Sequence, residues 1–253
     1  MLQWKNVKLK ICANYEEMSA AGANLLDSQV KEKKNSVIGF ATGSTPVGMY
    51  KKLAEKYGAG QIDFSEVTAF NLDEYYPIER TNNQSYYYFM QKNLFDAINI
   101  KEDKRSIPNG QTQDIKAECS GYDEKIVAAG GIDFQILGIG RNGHIGFNEP
   151  GDFFEGATHM VELDEDTIEA NARFFTSPEE VPKYALTMGM RAIMMSRKIL
   201  LLASGAGKAE AVYQAFFGPI TPQVPASILQ LHPDVTLVVD EEAFSEVRER
   251  EGL

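Results

Sequence analysis

Short apolar runs alternate along the chain with longer stretches in which apolar residues recur at helical spacing. Runs of about four to eight apolar and β-branched residues predict strands, and here these are residues 7–11, 36–41, 67–71, 133–140, 198–204 and 235–240. Helical patterns begin near residue 15 and cover residues 46–56, 85–97, 115–129, 183–194 and 208–215. This alternation is typical of an α/β fold, and we expect a doubly wound, mostly parallel sheet in a Rossmann-like, open three-layer arrangement.

No linker, low-complexity tract or internal repeat divides the chain, so we expect its 253 residues to form a single domain, residues 1–253. The stretch TSPEEVPKYALTMG (176–189) carries prolines and charges between predicted elements. Segments of this kind can cover a binding site and move with ligand binding. We therefore predict an active-site lid around residues 160–187.

Charge and composition exclude several classes of protein. The chain has 36 acidic and 25 basic residues, a formal net charge of −11, which argues against a nucleic-acid partner. It has two cysteines without paired spacing, no apolar run of membrane-spanning length and, in MLQWKNVKLK, no signal-peptide core. We expect a cytoplasmic protein that acts on a small molecule, with no nucleic acid or membrane as partner.

Unusual sequence follows four of the predicted strands. TGSTP comes after the second strand, LDEYY after the third, GRNGHIGFNEPG after the fourth and SGAGK after the fifth. In an open parallel sheet, ligands bind beyond the carboxyl ends of the strands. These four loops therefore predict one site at one edge of the sheet.

The loop ATGSTP combines small, hydroxylated residues with the start of a helix. Gly43 lets the backbone approach a ligand closely, and Thr42, Ser44 and Thr45 offer hydroxyl groups. Free N–H groups at a helix N-terminus favour a phosphate, although the loop is not a Walker A motif. An ordinary capped helix start is the alternative, and the loop alone does not decide between the two.

In LDEYY, Asp73 and Glu74 lie just past a strand end. An aspartate in such a place can act as a general base if burial raises its pKa. The alternative is a solvated turn acid or a helix cap. We interpret the neighbouring tyrosines, including Tyr75 and Tyr86, as packing residues.

The stretch GIGRNGH contains G-x-G-x-x-G after a strand, which resembles a dinucleotide fingerprint. That fingerprint requires a helix to begin inside it, whereas Gly146, Pro150 and Gly151 follow here and interrupt any helix. We reject a dinucleotide site and expect no cofactor.

His144 in this loop is a candidate acid–base residue, because a neutral imidazole can donate a proton at one nitrogen and accept one at the other. Glu149 is placed to orient the ring, as the third member of a triad does, and Asn142 stands where a charged partner would be convenient. A histidine held by turn carbonyls is the alternative. The three histidines of the chain show no metal-ligand spacing, so we expect no metal.

Two further cations are candidate phosphate contacts. Lys208 lies in the first turn of a predicted helix, where a positive charge is unfavourable unless an anion binds nearby. Arg173 can hold a phosphate with two parallel hydrogen bonds. The alternatives are a solvated lysine and a surface ion pair between Arg173 and Glu169.

The motifs ATGSTPVGMY, FNLDEYY, LGIGRNGHIGFNEPG, ARFF, VPKYALTMG and SGAGKA, in this order, resemble the glucosamine-6-phosphate deaminase family over nearly the whole chain. The resemblance implies conversion of glucosamine 6-phosphate to fructose 6-phosphate and ammonia in amino-sugar catabolism, without metal or cofactor. It implies that Asp73 moves a proton from C2 to C1 and that His144, tuned by Glu149, opens the sugar ring. The residues that it places at the phosphate are Gly43, Ser44, Thr45, Arg173 and Lys208.

Asn142 departs from the pattern, because well-known members carry an aspartate at the matching position. Asparagine keeps a hydrogen bond but removes a charge, and we interpret the change as tuning. Members activated by N-acetylglucosamine 6-phosphate carry basic residues at the positions matching His159 and Val161. In this chain the first position is a histidine and the second is an uncharged valine. The hypothesis is an unregulated enzyme, a monomer or low homo-oligomer.

Three alternatives remain at this point. Galactosamine-6-phosphate deaminase would use the same residues on another epimer, and a 6-phosphogluconolactonase of the same fold would hydrolyse a lactone. A non-catalytic sugar-phosphate sensor is the third, although a sensor does not need Asp73 and His144 together.

Overall fold

A computed structural model describes residues 2–4, 7–164, 167–169, 175 and 180–252 of the chain. Its strands are β1 Leu2–Trp4, β2 Val7–Cys12, β3 Val37–Phe40, β4 Thr68–Asn71, β5 Asp73–Tyr76, β6 Arg105–Ser106, β7 Phe134–Leu137, β8 His159–Glu162, β9 Tyr184–Thr187, β10 Lys198–Ala203 and β11 Val235–Asp240. The α-helices are α1 Tyr15–Glu32, α2 Val47–Gly58, α3 Tyr86–Asn93, α4 Ile115–Ala128, α5 Met190–Met194, α6 Ala209–Phe216 and α7 Ser245–Glu251. Short 3-10 helices cover Phe95–Ala97, Glu102–Lys104, Ala206–Lys208 and Pro225–Leu231.

The large sheet has the strand order β1-β2-β11-β10-β7-β3-β4-β6. Strand β1 pairs with β2 in the antiparallel sense, and the other neighbours are parallel. Every residue of β3, β7 and β11 is buried, as expected for parallel strands covered on both faces. The predicted α/β fold with a mostly parallel sheet is confirmed.

Helices cover both faces of this sheet. Successive side chains along each strand point to opposite faces, so a buried strand carries apolar side chains on both. Phe40 of β3 makes an edge contact with Tyr50 of α2, at 6.1 Å between ring centroids. Phe70 of β4 makes a similar contact at 5.8 Å with Tyr122 of α4. Since Phe70 pairs with Gly39, one position before Phe40, the two rings lie on opposite faces.

The centre of the sheet contains a buried polar side chain. Gln135 of β7 is fully buried, and its Nε2 donates to the carbonyl of Ile136 at 2.8 Å. Gly39 of β3 lies beside it, and a Cβ atom at Gly39 would overlap with the Gln135 amide. The absence of a side chain at Gly39 is therefore what lets this amide fit between the two strands.

A second, small antiparallel sheet has the order β5-β9-β8. Asp73 and His159 both pair with Thr187, which places β9 between the other two strands. The sequence analysis expected a loop at DEYY, but these residues form β5, an additional strand directly after β4.

The helix predicted over residues 183–194 is wrong in its first half. Residues 184–187 form β9, and α5 begins only at Met190. Buried residues at 185, 186, 188, 190 and 193 fit helical spacing. Residues 185 and 186 nevertheless belong to β9, which is the central strand of the small sheet.

The predicted lid, residues 160–187, begins and ends in this small sheet. Most of β8 and all of β9 lie inside its bounds. Between the strands, residues 165–166, 170–174 and 176–179 lie outside the described part of the chain. Whether the segment moves as a lid stays a prediction.

Candidate active site

A cleft of about 370 Å³ lies at the carboxyl ends of four neighbouring strands, β10, β7, β3 and β4. The chain proceeds from β3 outwards to β4 and β6, and then returns to β7 on the other side of β3. Such a switch point is where open parallel sheets bind ligands. Most of the candidate residues line this cleft: Thr42, Gly43, Ser44, Thr45, Asp73, Asn142, His144 and Lys208.

Asp73 lies at the bottom of the cleft and is only 4% exposed. Thr42 Oγ1 donates to its Oδ1 at 3.4 Å. Burial raises the pKa of Asp73 from 3.8 to about 8. The neighbouring charge of Glu74 adds to this rise, and the hydrogen bond from Thr42 opposes it. A carboxyl group with a pKa near neutrality can both take and return a proton during a reaction.

The histidine of the glycine-rich loop forms a pair with Glu149. His144 Nδ1 lies 3.1 Å from Glu149 Oε2, and the His144 side chain is 19% exposed toward the cleft. Because the carboxylate accepts at Nδ1, the neutral ring carries its proton there and leaves Nε2 for a ligand. The predicted orientation of His144 by Glu149 agrees with this geometry.

Asn142 contacts both Glu149 and the backbone of His144. Its Nδ2 donates to Glu149 Oε2 at 2.8 Å, and its Oδ1 accepts from the backbone N–H of His144 at 3.2 Å. An amide can do both at once, because it has a donor and an acceptor. Asn142 thus holds Glu149 and the histidine loop in one arrangement.

Thr167 is a site residue that the sequence analysis missed. Its hydroxyl donates to Glu149 Oε1 at 2.6 Å. Burial alone would raise the pKa of Glu149, but the bonds and charge of His144, with the bonds from Thr167 and Asn142, hold that pKa below its usual range. The carboxylate therefore stays ionised beside the ring. A threonine 18 residues from Glu149 in sequence, inside the predicted lid, carries no motif signal.

The histidine loop is fastened to the end of β9. Asn148 Nδ2 donates to the carbonyls of Ile145 and Met188, both at 2.9 Å, and the N–H of Phe147 donates to Thr187 Oγ1 at 3.0 Å. The loop also passes close to Asp73, since a Cβ atom at Gly146 would lie 3.6 Å from a carboxylate oxygen of that residue. Residues 138–151 contain no helix, so the helix start that a dinucleotide fingerprint requires is not formed in this loop.

The loop after β3 lines the opposite part of the cleft. Gly43 has φ of +88°, a conformation that side chains other than glycine rarely adopt. The hydroxyl of Tyr15 accepts from the N–H of Gly48 at 2.8 Å and donates to the carbonyl of Ser44 at 3.0 Å. These bonds hold the loop and the start of α2 in place.

Positive side chains border the cleft beyond this loop. Lys208 follows β10, at the end of a 3-10 turn. Arg141 also lines the cleft, and its Nε lies 3.8 Å from the position that a Cβ atom on Gly207 would occupy. Arg141 is not among the residues predicted from the sequence, although a basic residue inside a glycine-rich loop could have indicated a contact with an anion. Arg173 lies outside the described residues.

Tyr86 also lines the cleft. Its ring lies parallel to that of Phe147, with 10° between the planes and 5.8 Å between centroids, and its hydroxyl is 3.4 Å from that of Tyr75. Tyr86 packs as the sequence analysis expected, but it also forms part of the cleft wall. Tyr75 is buried within the aromatic cluster.

The described residues contain no group of three or more His, Cys, Asp or Glu side chains arranged to hold a metal ion. None of their helices combines the length and the apolar character needed to cross a membrane.

Fold and site together define a class: an α/β protein with a ligand cleft at the switch point of a parallel sheet, equipped for acid–base chemistry on a small anionic molecule. The family model described as "Glucosamine-6-phosphate isomerases/6-phosphogluconolactonase" matches residues 13–238. The chain belongs to this family.

Similar proteins are named as deaminases. The chain is 54% identical over 245 residues to glucosamine-6-phosphate deaminase of Clostridioides difficile (strain 630), covering 97% of this chain and 98% of that protein. It is 56% identical over 239 residues to the deaminase of Thermoanaerobacter pseudethanolicus (strain ATCC 33223 / 39E), covering 94% of each.

Solved structures agree in fold. That of a monomeric glucosamine-6-phosphate deaminase is 46% identical and superposes with a TM-score of 0.92, covering 94% of this chain and 99% of that one. A 6-phosphogluconolactonase from Thermotoga maritima has a TM-score of 0.71 at 20% identity, covering 93% of this chain and 99% of that one. The second likeness concerns the fold alone.

Proposed function

We propose that the chain is a glucosamine-6-phosphate deaminase, which converts glucosamine 6-phosphate and water to fructose 6-phosphate and ammonia in amino-sugar catabolism. The observation that carries the proposal is the placement of a buried carboxyl group, Asp73, and a histidine–carboxylate pair, His144 and Glu149, in one cleft. The chain is also more than half identical to deaminases over nearly its full length.

The first step is opening of the sugar ring. His144, through Nε2, takes the proton of the C1 hydroxyl and gives a proton to the ring oxygen as the C1–O5 bond breaks. The product is the open-chain aldehyde. Glu149 stabilises the imidazolium that forms between the two transfers, as an ionised orienting carboxylate does in a triad.

The second step moves a proton between neighbouring carbons. Asp73, as the carboxylate, removes the C2 proton of the amino aldehyde, which carries an ammonium group at C2. A proton passes from this ammonium group to O1, so that a neutral enolamine forms. The same carboxyl group then gives its proton to C1, so that C1 becomes an alcohol and C2 an iminium ion. Water adds to the iminium ion, and the nitrogen leaves as ammonium, the protonated form of ammonia, as C2 becomes the ketone. A single group beside both carbons serves both transfers.

The phosphate is placed at the other end of the cleft. We assign it to the hydroxyls and backbone of residues 42–45 together with Lys208 and Arg141, and Arg173 is a further contact by family resemblance. The net charge of −11 makes local donors necessary for an anionic substrate. Hydroxyls, N–H groups and cations on neighbouring loops supply them.

The two catalytic alternatives, lactone hydrolysis and deamination of galactosamine 6-phosphate, require different chemistry of Asp73. Lactone hydrolysis needs no proton transfer between neighbouring carbons, and the similarity to lactonases is at the level of 20% identity. Galactosamine 6-phosphate would be handled by the same acid–base groups, so only a substrate comparison separates the epimers.

The test uses three separate substrates: ammonia release is measured from glucosamine 6-phosphate and from galactosamine 6-phosphate, and hydrolytic ring opening is measured for 6-phosphogluconolactone. We expect turnover of glucosamine 6-phosphate by the wild type and loss of at least about 100-fold in Asp73→Asn. Asp96→Asn, a change on the exposed surface, is the control and should keep full activity. Turnover of the lactone alone, or an active Asp73→Asn variant, would overturn the proposal.

We further propose that the enzyme is cytoplasmic, a monomer or low homo-oligomer, and unresponsive to N-acetylglucosamine 6-phosphate. In support, the solved deaminase that is 46% identical is monomeric, and Cys12 and Cys119 are free and buried thiols. Light scattering after gel filtration measures the assembly state. A hexamer, or activation of turnover by the effector, would contradict this part of the proposal.

A further inference from the structure

Glu74 is a buried carboxylate at the site that the mechanism above does not use. It is 2% exposed and directly follows Asp73 in β5. Its Oε1 accepts from the N–H groups of Tyr75 at 2.9 Å and Tyr86 at 2.8 Å, and its Oε2 accepts from Tyr87 at 2.9 Å. Both carboxylate oxygens are therefore occupied by backbone donors.

Two of those donors are the first N–H groups of α3, which have no partner inside the helix. Ser85 Oγ accepts from the next one, that of Tyr88, at 3.0 Å. Burial raises the pKa of Glu74 from 4.5 to about 7, although the three N–H bonds and the charge of Arg80 oppose that rise. The positive end of the helix dipole also favours the ionised form. Above about pH 7, Glu74 is therefore an ionised carboxylate bonded to a helix start.

This anchoring reaches the cleft through Tyr86. The N–H of Tyr86 is tied to Glu74, while its ring stacks on Phe147 of the histidine loop and lines the cleft. Glu74 thereby connects β5, which carries the base, to the helix that supplies part of the cleft wall.

We propose that Glu74 is a positioning residue of this active site: its carboxylate anchors the start of α3 so that Tyr86 forms the cleft wall, and it holds a negative charge behind Asp73. The inference rests on the proposed deaminase reaction. In that reaction Asp73 must keep a proton between its removal from C2 and its return to C1. A negative charge next to Asp73 favours the protonated carboxyl and so supports that intermediate state.

The groups that surround Asp73 show which neighbouring charge affects its pKa. Hydroxyls from β5, α2, α3 and α4 face it, and burial raises their pKa values far enough to keep them neutral in any assay: Tyr75, Tyr50, Tyr86 and Tyr122. Thr42 is uncharged. Across the cleft, the pair of His144 and Glu149 is a further set of titratable groups on the side of the histidine loop. Arg80 acts on Glu74 from the loop after β5.

The test is the pH dependence of kcat/KM for ammonia release in the wild type, Glu74→Gln and Asp133→Asn. Asp133 is the matched control, because it is also a buried carboxylate that accepts a backbone N–H, from Val37 at 2.8 Å. It lies at the amino end of β7, on the side of the sheet away from the cleft, and it is paired with Lys33 and Arg197.

We expect the acid limb of the Glu74→Gln profile to move to lower pH by about one unit, since Asp73 loses a neighbouring negative charge. Asp133→Asn should lower the melting temperature without moving this limb. A Glu74→Gln variant that is less stable but has the wild-type limb would overturn the proposal, because Glu74 would then be structural only.

A second measurement needs neither a folded variant at position 74 nor substrate. Carbon-13 NMR of the side-chain carboxyl groups in the wild type follows Asp73 and Glu74 directly, with the Asp73 signal assigned by its loss in Asp73→Asn. We expect each signal to titrate in two steps, the second at the pH where the other group changes charge. Independent single-step titrations would overturn the proposal. An inactive wild type would refute the deaminase function and leave this measurement decisive for Glu74.

Discussion

Replacement of Asp73, the proposed base, by its neutral analogue should make the protein more stable. Asp73→Asn keeps the size and the bond from Thr42 but removes a carboxyl group whose pKa is raised by burial from 3.8 to about 8. Between these two pH values the unfolded chain has lost this proton and the folded chain still holds it. The wild type therefore loses stability as pH rises from about 4 to about 8, by roughly 1.4 kcal/mol for each unit.

The size of the effect follows from the same values. A shift from 3.8 to about 8 is about four units, so the upper limit is about 6 kcal/mol at pH 8. Relaxation of the folded protein reduces this limit, and we expect the variant to exceed the wild type by about 2–4 kcal/mol at pH 8 and to lose most of that advantage at pH 5. Deaminase turnover should fall by about 100-fold or more in the same variant.

The assay is urea denaturation of both proteins at pH 5, 6, 7 and 8, with the difference in unfolding free energy plotted against pH. The contributions of all titratable groups other than Asp73 and its neighbour Glu74 to the unfolding free energy cancel to first order in this difference. Asp96→Asn, on the exposed surface, should follow the wild type at every pH. A variant less stable than the wild type at pH 8, or a difference that does not change with pH, would refute the reasoning.

Three further changes test the packing, the histidine pair and the phosphate end. Gly39→Ala should destabilise the fold by about 2–4 kcal/mol in urea denaturation, because its Cβ overlaps with the Gln135 amide. Thr167→Val should lower kcat/KM by about 5- to 30-fold, since Glu149 loses a hydrogen bond of 2.6 Å. Lys208→Ala should raise KM for the sugar phosphate by about tenfold or more with a smaller change in kcat, measured in steady-state kinetics.

Each of these changes has a matched control. Gln135→Ala in the Gly39→Ala background should recover part of the lost stability, and a double variant no better than the single one would contradict the overlap. Thr167→Ser keeps the hydroxyl and should stay near the wild type. Arg248→Ala removes an exposed cation paired with Glu241, and an equal rise in KM there would show that the Lys208 effect is not specific.

The large sheet was predictable because its strands are buried on both faces. Continuous apolar runs such as VTLVVD require no knowledge of the neighbouring elements, and β11 lies where that run predicts it. The small sheet is different. Its strand β8 alternates half-buried and exposed positions over only four residues, and β9 has an apolar pattern that fits a helix equally well. Its pairing depends on contacts distant in sequence.

The same distinction separates the site residues. Asp73, His144 and Glu149 lie in stretches of unusual sequence directly after predicted strands, so their chemistry could be inferred from their residue types and from the strand ends. Thr167 and Glu74 act through bonds to groups 12 to 18 residues away, such as the N–H of Tyr86. A hydroxyl or carboxylate has no spacing rule for such bonds, and only the folded chain brings the partners together.

The small sheet also determines how far apart the two catalytic groups lie. Asp73 pairs with Thr187 across β5 and β9, and the Thr187 hydroxyl accepts the N–H of Phe147, three residues after His144. Thr187 thus contacts both the strand that carries Asp73 and the loop that carries His144. The spacing between the proposed proton donor and acceptor therefore depends on the register of β5 against β9.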